Sequence, residues 1–232
     1  MEKKYDLVSV IIEELHNSGA LHKLVLVGSW CTRYYKDMFE HGDKFIPFLR
    51  TMDIDFMIPT PHRINKKVNI HELLIQMTFR PEFHTLSGLV KYRHPELDVE
   101  FITPEMGRGD KSVYEIKPFS INAAGLRYLS LLQSHLIEVD HSKDIQIRIP
   151  SPEAFALHKF IIGQRRKEAS KARKDIAVAK AIGELCMKSD INKENITLIF
   201  SSLPKKWQIK ILNSAKDVAD NLYKHLLEHR CL

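Results

Sequence analysis

Two aspartates one residue apart, Asp53 and Asp55, lie in the stretch Arg50-Thr51-Met52-Asp53-Ile54-Asp55-Phe56-Met57-Ile58. Ile54, Phe56 and Ile58 are β-branched or aromatic and short loops flank the run, so it reads as a buried strand. Side chains alternate along a strand, which sends both aspartates to one side. Two ionised carboxylates side by side are costly to bury unless something positive compensates them, and a shared divalent metal is the simplest compensation. The competing reading leaves both groups solvated near the strand end or paired with Arg50.

A second acidic pair follows in Leu97-Asp98-Val99-Glu100-Phe101-Ile102, where Asp98 and Glu100 face one way and Val99 and Phe101 the other. A third carboxylate on a neighbouring strand is what a two-cation site requires, because Mg2+ is held by a few carboxylates together with substrate phosphates. Glu100, deeper in the apolar run, is the preferred third acid. Asp98 is the other candidate, and the competing reading puts this face on an exposed edge strand.

Upstream, Gly28-Ser29 ends the apolar run 24–27 and opens the amphipathic run 30–39. Small residues at a helix start let a phosphate approach open backbone N–H groups. They equally suit a plain turn in which Ser29 caps the helix. Downstream, Lys159, Arg165, Arg166, Lys167, Lys171, Arg173, Lys174 and Lys180 face only Glu168 and Asp175. Most of this segment reads as a solvated helix face. Lys159 and Arg166 are seven residues apart and share a face, and Gly163 between them leaves room for a bulky group.

The elements that must position these groups follow from periodicity. Leu7, Val8, Ile11, Ile12 and Leu15 predict a helix over 5–17, stopped by Asn17-Ser18-Gly19. A helix over 68–77 and a hairpin over 83–92 turning near Ser87-Gly88 come next. Residues 107–125, with Gly107, Gly109, Pro118 and Gly125, read as loop-rich, and 126–132 is an apolar run of open type. Runs 135–140 and 145–149 form a hairpin around 141–143. Ser151 caps and Pro152 opens a helix running to about Lys167, and everything after it reads as helical. The last long helix starts at Pro204, with Ile211, Ala215, Val218, Leu222 and Leu226 as one apolar stripe that packs on the core.

The 232 residues suffice for one large domain or a core plus an appendage, and 44% apolar with 28% charged residues is the profile of an ordinary globular protein. The pattern holds no repeat, low-complexity tract, membrane span or signal peptide, so a cytoplasmic protein is expected. Cys31, Cys186 and Cys231 are too widely spaced for a disulfide framework or zinc knuckle and read as free thiols. A formal charge of +6 and a pI near 9.1 lean toward anionic partners such as nucleotides or nucleic acid.

Taken together, Gly28-Ser29 between strand and helix, Asp53-x-Asp55 on the next strand and an acid on a later strand resemble the nucleotidyltransferase superfamily with the polymerase β fold. Thr51-x-Asp53-Ile-Asp55, Glu100-Phe-Ile-Thr-Pro104 and the lysine-rich helix are similar to a subgroup of nucleotidyltransferase-like proteins. The resemblance implies an α/β (α+β) architecture, with a mixed-sheet nucleotidyltransferase core over 1–150 and a helical region over 151–232. It implies that Asp53, Asp55 and Glu100, with Asp98 as alternate, hold two Mg2+, or Mn2+ in their place. Gly28 and Ser29 would take the phosphates of an NTP such as ATP, Lys159 would reach the triphosphate, and Asp175 would orient a basic neighbour. The expected activity is transfer of an NMP from the NTP to an acceptor with release of pyrophosphate. The acceptor stays open between tRNA, a protein and a small molecule, as does the choice between monomer and homodimer. The alternatives are an inactive nucleotide- or nucleic-acid-binding module, or a toxin-like or resistance-like modifying enzyme.

Overall fold

The computed structural model describes residues 2–47, 51–107 and 112–230. Arg50 as a partner of the aspartates, Gly109 in the loop-rich stretch and the Cys231 thiol therefore lie outside the described residues. Helix α1 (Glu2–Asn17) opens the chain and buries Val8, Ile11, Ile12 and Leu15. It stops where expected: Gly19 adopts φ +78°, and the N–H of Ala20 donates back to Leu15 O at 2.9 Å.

Seven strands follow: β1 (Val25–Val27), β2 (Asp53–Met57), β3 (Arg80–Phe83), β4 (Val90–Arg93), β5 (Asp98–Pro104), β6 (Val113–Ile116) and β7 (Ile121–Leu126). They form one mixed sheet in the order β1-β2-β5-β4-β3, with β7 also paired to β5, and β6 to β7. β2 and β5 are parallel, with Asp53 opposite Asp98 and Asp55 opposite Glu100. The competing reading, an edge position for 98–102, is thus excluded. β5 has β2 on one side and, on the other, β4 at its start and β7 at its end. Residues 107–125, expected to be loop-rich, supply β6 and β7. The small side chains of Asn122-Ala123-Ala124-Gly125 carry little alternating signal, yet Asn122 ties β7 to the β3–β4 hairpin by accepting from Val90 N–H and donating to Gly88 O.

The two faces of the sheet differ. One buries Ile54, Phe56, Val99, Phe101 and Tyr92, with the Phe56 and Phe101 rings stacked 6.2 Å apart. Helix α4 (Ile70–Gln76) meets this face through His71, whose Nδ1 lies 3.0 Å from Tyr92 Oη. The other face is apolar at one end, where Val25, Val27, Met57 and Ile102 pack with Leu129 and Leu132 of α5 (Leu129–Gln133). At its other end it carries the charged residues described below. A separate hairpin, β8 (Leu136–Ser142) with β9 (Ile145–Pro150), follows.

The chain forms two compact units: Met1–Cys31 with Arg50–Ile149, and Thr32–Leu49 with Pro150–Leu232. The second division falls near 150, and Thr32–Leu49 groups with the helices and not with the rest of 1–150. Tyr35 on α2 (Cys31–Met38) gives the reason: its hydroxyl donates to Pro150 O at 2.7 Å and its ring meets Phe155 edge-on at 5.2 Å. The second unit also holds α3 (Gly42–Phe45), α6 (Pro152–Gly163), α7 (Ala169–Cys186), α8 (Asp190–Ser202), α9 (Lys205–Ala215) and α10 (Asp220–Glu228). Ser151 caps α6 by accepting from Ala154 N–H. The long helix expected after Pro204 is instead two, α9 and α10, because Asp220 favours a new helix start there. Ile211, Ala215, Leu222 and Leu226 of its stripe are nonetheless all buried. No helix among the described residues is long and apolar enough to cross a membrane.

Candidate functional site

Strand register decides which charges meet. Because β2 and β5 are parallel and in step, Asp53, Asp55, Asp98 and Glu100 all face the same side of the sheet. Antiparallel β4 places Arg93 opposite Asp98, and therefore Lys91 on this face beside Glu100. The Lys91 ammonium lies 2.7 Å from Asp53 Oδ1, 2.5 Å from Glu100 Oε1 and 3.2 Å from Asp98 Oδ2. Arg93 bonds Asp98 Oδ2 at 2.5 Å through Nη1 and pairs with Glu82 through Nε. Burial by itself would lower the Lys91 pKa, but the hydrogen bonds to Asp53 and Glu100 outweigh it and hold the ammonium well above its ordinary value.

The expected depths of the two acids on β5 are reversed. Asp98 is the buried one, its side chain 10% exposed and clamped by Arg93, while Glu100 is half-exposed at 33% and lies level with Asp55. Asp98 starts β5 directly across from Arg93 of β4, and the side chains of Arg93 and Lys91 both close on its carboxylate.

Gly28 belongs to the same place. Val27 is registered opposite Asp55, and the next residue turns with φ +75° into a single 3-10 turn, Gly28–Trp30, that runs on into α2. A Cβ at position 28 would collide with Asp55 Oδ2, so only glycine satisfies both the backbone and the contact. Trp30 fixes the start of β2 by donating its indole N–H to Asp53 O at 2.9 Å. Ser29 is half-buried in this turn.

The donor set fits a hard divalent cation. It consists of carboxylate oxygens, it converges from two adjacent strands, and three of its oxygens already hold a positive group at contact distance.

Lys159 and Asp175 lie in the second unit. The ammonium of Lys159 is 2.6 Å from Asp175 Oδ1, and Arg166 Nε takes the other carboxylate oxygen at 2.7 Å. Lys159 is only 6% exposed. The room expected at Gly163 is filled, since a Cβ there would come within 2.7 Å of Ile176 Cδ1 on α7, and α6 ends at Gly163 and not near Lys167. The rest of the basic segment is exposed or half-exposed, as a solvated face should be. Beside the pair, His158 is buried with neither ring nitrogen hydrogen-bonded among the described residues, and burial pushes its pKa down to about 3. Cys31 and Cys186 are buried thiols outside any disulfide, and Cys31 Sγ donates to Leu26 O at 3.3 Å.

Sequence reasoning missed Lys91 and Arg93. Their alternation with buried Tyr92 is visible in the sequence, but it is the pairing of β4 with β5 that aims them at the acids.

Comparison with known proteins gives the family and the fold. A family model described as nucleotidyltransferase matches residues 6–197, and the chain belongs to that family. Among solved structures it is similar to an antigenic nucleotidyltransferase-like protein from Paracoccidioides brasiliensis, at 16% identity and a TM-score of 0.57, over 99% of this chain and 94% of that one. At that identity the likeness establishes the fold. No curated protein gives a significant match. Family and fold together support a nucleotidyltransferase role.

Proposed function

We propose that the chain transfers a nucleotidyl group from an NTP to an acceptor oxygen, releasing pyrophosphate, with Asp53, Asp55 and Glu100 holding divalent cations, Mg2+ or Mn2+. When bound, such ions supply charge neutralisation at the phosphates and activation of the attacking oxygen. The observation that carries this reading is the convergence of Asp53, Asp98 and Glu100 on the single positive group of Lys91. Oxygens so placed attract cations, and Lys91 must withdraw from Asp53 and Glu100 for a metal to take them. Asp98 stays with Arg93 and orients it. The Gly28-Ser29 turn is pressed against Asp55, and its backbone would take the phosphates beside the acids. These roles use residues of the first unit alone.

The test is NTP binding by calorimetry with and without Mg2+, for each of the four NTPs, followed by labelled-nucleotide transfer to tRNA, protein and small-molecule acceptors. The double variant Asp53→Asn/Asp55→Asn should lose Mg2+-dependent NTP binding and stay folded, because removing like charges relieves repulsion. Unchanged metal-dependent affinity in that variant would sink the assignment. One observation favours a second reading, a nucleotide-binding module without catalysis: Lys91 already compensates the acids. NTP binding that survives chelation of all divalent metal, with no pyrophosphate released, would establish it.

A further inference from the structure

A second set of metal-ligating side chains lies away from the acidic face, at the end of α10. His225, Glu228 and His229 are spaced i, i+3, i+4, so they share one side of the helix, and one ligand atom of each lies within 4.8 Å of the others. Proximity of two imidazoles and a carboxylate is not enough, because a histidine binds metal only through a nitrogen that carries no proton. Here hydrogen bonds settle which nitrogen that is.

On α8, Thr197 Oγ1 donates to Lys193 O at 2.7 Å, so its proton is committed and the oxygen can only accept from His225 Nε2, 2.6 Å away. His225 therefore carries its proton on Nε2, which leaves the Nδ1 lone pair open. His229 Nδ1 lies 2.8 Å from the carbonyl oxygen of His225, which can only accept, so this ring carries its proton on Nδ1 and leaves Nε2 open. In its neutral form each imidazole thus offers one lone pair, held in orientation by a second bond of the kind that steadies metal-bound histidines. The two rings lie 4.5 Å apart between centroids.

We infer that His225, Glu228 and His229 form a Zn2+ site at the end of α10. Two imidazoles and one carboxylate suit a borderline cation better than Mg2+ or Ca2+, and three protein ligands leave a fourth tetrahedral position for water. Glu228 and His229 are exposed, so the ion enters directly from solvent. Through Thr197 the site joins α10 to α8, and metal binding raises the stability of the second unit.

The full chain is titrated with Zn2+ by calorimetry, and with Co2+ while the visible absorption reports a four-coordinate ion. The expected result is one equivalent bound, with a higher unfolding temperature. Glu228→Gln and His229→Ala, both at exposed positions, each weaken Zn2+ by about tenfold or more. Thr197→Val, which touches no metal but releases the His225 tautomer, weakens it by about tenfold. Cys231→Ser leaves uptake unchanged, and the same titrations in an Asp53→Asn/Asp55→Asn background keep the acidic face of the sheet from being counted. Circular dichroism checks that every variant is folded. Zn2+ uptake in that background that is equal with and without His225→Ala/His229→Ala, or that disappears in Cys231→Ser, overturns the site.

Discussion

Lys91 and Lys159 make ion pairs of nearly equal length in opposite surroundings. On the sheet face one ammonium serves three carboxylates, and Asp53, Asp55, Asp98 and Glu100 outnumber Lys91 and Arg93. In the helical unit the proportion is inverted, with one carboxylate, Asp175, between Lys159 and Arg166. The first cluster is open: Asp53 is 45% and Glu100 33% exposed at the side chain. The second is closed, with Lys159 and Asp175 each at 7%. An open acidic excess is a place where cations exchange. A closed pair is a fixed element of packing, since any change of partner strands a charge away from water.

The largest effect is therefore expected from breaking the closed pair. Asp175→Asn leaves the Lys159 ammonium buried with no anion, at a cost of about 3–5 kcal/mol at pH 7. Lys159→Met should cost less, because Asp175 keeps Arg166. The acid dependence has a definite sign. Burial alone would raise the Asp175 carboxyl, but Lys159 and Arg166 overcome it and hold its pKa below the ordinary value. A depressed carboxyl adds stability above its unfolded pKa, about 3.9, and loses it as pH falls through the folded value. Urea unfolding of wild type and Asp175→Asn should differ fully at pH 5–7 and converge only below about pH 4. A difference under about 1 kcal/mol at pH 7 would show that the pair is not sealed.

A smaller effect tests whether that interior admits one more charge. His158 sits beside the pair, and burial first, then the neighbouring Lys159, holds its pKa near 3 against an ordinary 6.5. The unfolded chain binds the extra proton between those values and the folded chain does not, so stability falls as pH drops through that window. The slope is at most about 1.4 kcal/mol per pH unit, or about 2 kcal/mol by pH 5. His158→Leu, similar in size and without a proton to gain, should remove this slope while leaving stability at pH 7 equal or higher. Parallel pH profiles for the two proteins would contradict the closed reading.

The two regions also differ in how far the sequence disclosed them. Alternation within one strand is a local property, so Asp53 with Asp55 and Asp98 with Glu100 are paired by residue order alone. The mixed sheet and the helical second half followed from the family resemblance and periodicity, and the family match agrees with them. What depends on non-local register was hidden. Lys91 enters the acidic face only because β4 runs antiparallel to β5, and Asp98 is closed off where Glu100 is not because the same pairing sets Arg93 across from it. In the same way Gly163 looked like open space along its own helix, and a different helix fills it with Ile176. β6 and β7 escaped because Ala123, Ala124 and Gly125 lack the β-branched and aromatic side chains that mark strands.

The smallest effect belongs to the open cluster and gives the sharpest contrast. Lys91→Met keeps the aliphatic stem and removes only the charge, so packing against the sheet is retained. Asp53 and Glu100 reach water, which screens the repulsion left behind, and the loss of stability without divalent metal should be about 1 kcal/mol. That is several times less than for Asp175→Asn, although the wild-type distances are alike. The loss should also be reversible in a way the other is not. If Mg2+ takes the place of the ammonium at Asp53 and Glu100, as proposed, the variant should regain its stability in Mg2+ and bind the ion more tightly than wild type. Asp175→Asn should be unmoved by Mg2+, since the charge stranded there is positive. Thermal unfolding of the three proteins with and without the ion checks both halves. If Mg2+ rescues neither variant, Lys91 is a structural counter-ion like Lys159, and the difference between an exchangeable and a fixed cluster does not hold.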